Sequence, residues 1–129
     1  MENHLEQQIH DTMVQVKSIL LKFEKFLEIR ANFPASSEKP LPLSHDDPTR
    51  EYSPDITARG DTMILIEVET SQTFHEPETL KSWSFFDRYA KIHQADFRIV
   101  VPKGYSVIAT QLIQELNIEA KVEEVIEDR

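Results

Sequence analysis

Two carboxylates close an apolar run in PDITARGDTMILIEVET, residues 54–70: Met63-Ile64-Leu65-Ile66 is followed by Glu67-Val68-Glu69. A third, Asp55, stands directly after Pro54 and twelve residues before Glu67. In the alternation of a strand, Met63, Leu65, Glu67 and Glu69 share one face, and Ile64, Ile66, Val68 and Thr70 share the other. The first face therefore turns from apolar to acidic near the strand's end. A carboxylate is costly to bury unless something pairs with it. Asp55 opens the neighbouring strand, so all three acids can gather at one end of a sheet. Converging carboxylates repel one another unless a cation sits between them, and Mg²⁺ or Mn²⁺ takes oxygen ligands of this kind. The alternative is a strand emerging into solvent, its acids paired with Lys or Arg of neighbouring elements.

The register of the hairpin decides between proximity and separation. A three-residue loop at Arg59–Asp61 predicts Asp55 opposite Leu65 and diagonal to Glu67. A two-residue loop at Gly60-Asp61 puts Asp55 and Glu67 on opposite faces.

The elements that must position these residues follow from periodicity. Leu5, Ile9, Met13, Val16, Leu20, Phe23 and Leu27 mark an amphipathic helix over about residues 2–31. Residues 33–54 hold Pro34, Pro40, Pro42, Pro48 and Pro54, which exclude a helix or a central strand, leaving a long connection with a short edge strand near Leu41–Leu43. Strands are predicted at Asp55–Ala58 and Met63–Thr70, then a helix over Leu80–His93 capped by Glu78 or Thr79, with Leu80, Trp83, Phe86 and Ala90 inward. Phe97–Val101 reads as a central strand, Ser106–Leu116 as a helix capped by Ser106, and Ala120–Ile126 as an acidic edge strand within the tail 115–129. The crossover from Thr70 to Phe97 predicts a parallel pair. The class is α/β: one domain over 1–129, with a mixed central sheet flanked by helices.

On this pattern the chain resembles the PD-(D/E)XK nuclease superfamily, through Pro54-Asp55, eleven intervening residues, and Glu67-Val68-Glu69. The order of elements over about residues 5–103 is similar to that family's restriction-endonuclease-like αβββαβ core. The resemblance implies a Mg²⁺- or Mn²⁺-dependent phosphodiesterase acting on DNA or RNA. It implies Asp55, Glu67 and the Val68 carbonyl as metal ligands. The family's lysine position holds Glu69, and Lys81, near the start of the following helix, is the candidate for a migrated lysine. Without either arrangement, the resemblance implies a nuclease fold that has lost its chemistry and serves as an interaction module.

The bulk composition bounds these readings. The net charge of −9 opposes tight non-specific nucleic-acid binding. The stretch Lys81–Lys103 nevertheless carries five basic residues against two acidic ones, which suits a phosphate backbone or a solvated helix face. There is no cysteine, hence no disulfide or thiolate site, and with two isolated glycines there is no phosphate-cradling loop. MENHLEQQIH lacks the pattern of a signal peptide, and no apolar run is long enough to span a membrane, so a cytoplasmic protein is expected. The first helix is longer than strands of five to eight residues can cover, yet its apolar stripe does not fade. That predicts a homodimer through this helix.

Overall fold

Met63–Val68 is buried from its second residue onward, as suits a strand covered on both faces. The computed structural model describes residues 28–31, 40, 42–44, 52–70 and 73–124. Its strands are β1 (Glu28–Ala31), β2 (Ile56–Arg59), β3 (Met63–Val68), β4 (Asp96–Val101) and β5 (Lys121–Glu124). They lie in the order β1-β2-β3-β4-β5. The pairs β1/β2 and β2/β3 are antiparallel, whereas β3/β4 and β4/β5 are parallel. Each parallel step needs a crossover, and helices α1 (Pro77–His93) and α2 (Ser106–Leu116) supply the two. The α/β class, the mixed sheet and the parallel β3/β4 pair are as the sequence predicts.

The face of β3 that carries Leu65 meets the helices. Leu65 joins Phe97, Ile99 and Val101 of β4, Trp83, Phe86 and Ala90 of α1, and Ala109 and Ile113 of α2 in one buried cluster. Trp83, Phe86, Asp87 and Ala90 are spaced 3, 1 and 3 residues apart, the inward stripe of an α-helix. The opposite face of the sheet carries Ile56, Ala58, Ile64, Ile66, Val68 and Val100, also buried.

Several boundaries differ from expectation for identifiable reasons. Helix α1 starts at Pro77, three residues before Leu80, with Glu76 at the N-cap in place of Glu78 or Thr79. Proline fixes the helical φ and lacks an N–H that the first turn could not use. Ser106 is the first helical residue of α2 and Tyr105 its N-cap. The α2 start is instead met by a carboxylate from β5, as the Ser106 N–H donates to Glu124 Oε2 at 3.3 Å. Residues 1–27 of the expected first helix lie outside the described residues, but Glu28–Ala31 are strand, paired antiparallel with β2. Without them the backbone groups on that side of β2 would lack partners, and a buried edge is costly. Leu43, in the expected edge strand near Leu41–Leu43, forms a bridge with Tyr52 through N–H donations of 2.8 and 3.0 Å.

The basic stretch is largely neutralised within the fold. Lys81 pairs with Glu78, Lys91 with Asp87 and Glu119, and Arg98 with Asp96 and Glu123. Asp87, unexpected among the buried residues of α1, accepts the Glu119 N–H at 2.8 Å and lies 3.0 Å from Lys91. It ties the helix to the segment leading into β5. Asp87→Ala leaves the Glu119 N–H without that acceptor, and a loss of about 1.5–3 kcal/mol is expected in urea unfolding.

Candidate functional site

The β2–β3 hairpin sets the site. Its register pairs Arg59 with Met63 and Ile56 with Ile66, enclosing the three-residue loop Gly60–Thr62. The loop has the expected length but lies one residue later than Arg59–Asp61. Continuing the pairing one step past Ile56 brings Asp55 directly opposite Glu67, not diagonal to it as the earlier loop would. Directly opposed residues share a face, so the two carboxylates meet.

Pro54 explains why this happens where it does. The Glu69 N–H donates to the Val100 carbonyl at 2.9 Å, so the odd-numbered amides of β3 serve β4. The even-numbered ones, Val68 among them, face β2. The ladder partner of Val68 would be Pro54, which has no N–H to offer the Val68 carbonyl. The Val68 N–H instead donates to Asp55 Oδ2 at 2.7 Å. In return the Asp55 N–H donates to Glu67 Oε2 at 3.0 Å. A proline followed by an acid thus closes the ladder with a carboxylate and leaves a buried carbonyl with no sheet donor opposite it.

The electrostatics are severe. Glu67 and Glu69 are each 7% exposed. Burial pushes the Asp55 carboxyl up to about 7, against the Val68 N–H, which favours its charge, with Glu69 adding repulsion. Burial likewise holds Glu67 well above the ordinary carboxylate range, and Asp55 and Glu69 push the same way. Among the described residues, no Lys, Arg or His forms an ion pair with any of the three acids.

Glu69 has a different role from its neighbour. Its Oε1 accepts from Thr73 Oγ1 at 2.7 Å and its Oε2 from Trp83 Nε1 at 3.0 Å. Both oxygens are engaged by protein donors, and these bonds offset part of the rise that burial causes. Lys81 is not brought to the acids. It is 65% exposed, with its ammonium 3.5 Å from Glu78, and it stands two residues from Trp83, on another side of α1. Sequence reasoning missed Thr73 and missed the bond from Trp83. The second was discoverable, because a buried indole N–H needs an acceptor and Glu69 was the buried acid at hand.

Among the described residues, no three His, Cys, Asp or Glu side chains are grouped so as to hold a metal ion. Mg²⁺ commonly takes one or two carboxylates and completes its shell with water. Asp55, Glu67 and the Val68 carbonyl suit that requirement, whereas Glu69 is committed elsewhere. No protein-family model, no curated protein and no solved structure matches the chain. No helix among the described residues is long and apolar enough to cross a membrane.

The raised carboxyls make stability depend on pH. Between about pH 4, where an unfolded carboxyl titrates, and about 7, where Asp55 titrates in the fold, the folded chain holds a proton that the unfolded chain has lost. The stabilisation is complete below that window and is lost as pH rises through it. Without divalent cations the protein is expected to melt lower at pH 8 than at pH 5. Glu67→Gln removes one charge and should raise the pH 8 midpoint by roughly 3 °C or more while flattening the profile. Scanning calorimetry in chelator at both pH values checks this.

Proposed function

We propose that this chain has the restriction-endonuclease-like fold and is a Mg²⁺- or Mn²⁺-dependent phosphodiesterase acting on DNA or RNA. Its cation ligands are Asp55, Glu67 and the Val68 carbonyl. The observation that carries this reading is the opposed Asp55–Glu67 pair, with Glu67 buried and Asp55 half-buried, which has no cationic partner among the described residues. The strand order, an antiparallel β1-β2-β3 meander followed by a helical crossover to parallel β4, supports it. A divalent cation, when bound, lowers the pKa of a coordinated water and stabilises charge on the scissile phosphate. The chain's own contribution is positional. The Val68 and Asp55 amides hold the two carboxylates against each other, and the sheet fixes the direction of the Val68 carbonyl.

The second reading is a catalytically inactive interaction module of the same fold. It is favoured by Glu69, which stands in the lysine position with both oxygens engaged, and by the distance of Lys81 from the acids. The neutralised basic stretch favours it too. A homodimer through the first helix belongs to either reading. It rests on the spacing of residues 5–27, and light scattering tests it against the 15.0 kDa monomer.

Calorimetric titration with Mg²⁺ and Mn²⁺ is expected to show binding that releases protons and strengthens as pH rises. Asp55→Ala should weaken it at least ~10-fold. Trp83 is the only tryptophan, so quenching of its emission by Mn²⁺ gives a second readout. Cation-dependent cleavage of plasmid or single-stranded DNA or RNA, lost in Asp55→Ala, supports the enzyme. Binding without cleavage supports the module, and no binding contradicts the cation site itself.

A further inference from the structure

Glu69 is the one buried acid of the three that a metal site does not need, yet it is the most thoroughly bonded. Its backbone N–H reaches the Val100 carbonyl on β4 at 2.9 Å. Its side chain reaches the other way, accepting from Thr73 in the 3-10 turn Thr73–His75 and from Trp83 in α1. Thr73 is itself fixed, since its Oγ1 accepts the Thr70 N–H at 2.8 Å and its N–H donates to Thr70 Oγ1 at 3.3 Å. Trp83 is fully buried, held edge-on to Phe74 with ring centroids 6.0 Å apart. Both anchors are therefore rigid.

The end of β3 needs such anchors. Beyond Ile66 the β2 ladder stops at Pro54, and only the side chains of Asp55 and Glu67 continue the link between the two strands. Those links join two acids that repel one another when ionised. The β4 ladder runs on through Val68 and Glu69, but it leaves the β2 side of the strand end dependent on those links.

We infer that Glu69 is a positioning residue: its bonds to Thr73 and Trp83 clamp the end of β3 to α1 and so keep Val68 and Glu67 in register with Asp55. The inference deepens the cation-site reading and rests on it for what the pair is for, while the clamp can be read without any metal. The acceptor is what matters. A glutamine still takes the Trp83 N–H through its carbonyl oxygen and can donate to Thr73 Oγ1. An alanine or a lysine accepts nothing from Trp83, so restoring the family's lysine at this position breaks the clamp.

Amide hydrogen exchange in chelator tests this directly, because the Val68 and Asp55 N–H groups bond the two carboxylates. Glu69→Ala and Glu69→Lys are expected to speed exchange at Val68 and Asp55 by about 10-fold, the loss of roughly one hydrogen bond. The Leu65 and Ile66 amides should change much less, and Glu69→Gln should stay near wild type. If Glu69→Ala does not fold, Trp83→Phe and Thr73→Val, each removing one donor, should give the same selective pattern. Unchanged exchange at Val68 and Asp55 would overturn the inference. So would a rise shared equally by residues 55, 65, 66 and 68, which marks general destabilisation. In a parallel Mn²⁺ titration, Glu69→Ala should lose about 10-fold in affinity and Glu69→Gln little. A wild-type protein that binds no Mn²⁺ overturns the cation-site reading alone, and the exchange pattern then still decides the clamp.

Discussion

Two carboxyl groups facing each other inside a protein set the terms for everything around them. Asp55 and Glu67 are opposed by the hairpin register, Asp55 half-buried and Glu67 buried, with Glu69 two residues along the same strand face. Such groups cannot all carry charge without compensation, because burial removes the water that would screen them. The fold answers with two backbone amides, while burial pushes both carboxyls upward and favours their protonated forms. That arrangement is favoured when protonated and disfavoured when ionised, which is why a small hard cation is proposed for it. In the proposed reading, cation binding and the pair's effect on stability have the same physical origin.

The surroundings can be understood as holding that pair in place. Pro54 ends the β2 ladder, so the link to β3 passes to side chains. Glu69 ties the far end of β3 to the helical layer through Trp83 and Thr73. Asp87 does comparable work further along α1, joining it to the segment before β5. Buried acids thus bond across elements at two places, and in each one donor is distant in sequence: Trp83 for Glu69 and the Glu119 amide for Asp87.

Much of this was legible in the sequence because it is local. Alternation in Met63–Glu69 put its two acids and their apolar neighbours Met63 and Leu65 on one face, and helical spacing identified Trp83, Phe86 and Ala90 as inward. The end of α2 at Leu116 and the parallel β3/β4 pair also followed from pattern and connection length. The illegible parts depend on long-range pairing. Whether the loop begins at Arg59 or Gly60 shifts Asp55 from Leu65 to Glu67, and no local propensity separates those registers. The run that ends in Glu28–Ala31 continues a helical spacing, yet there the demand of the β2 edge for a partner outweighs it. Lys81 looked available by position, but side-chain direction on a helix, which spacing from Trp83 could have exposed, carries it to Glu78.

The most direct measurement is a ¹³C NMR titration of the Asp55 and Glu67 carboxyl carbons in the metal-free protein. The account predicts that Asp55 titrates near 7 and Glu67 well above the ordinary carboxylate range, and that added Mg²⁺ moves both downward as the cation takes the place of the proton. Ordinary carboxylate titration of both groups near pH 4, unaffected by Mg²⁺, would contradict it.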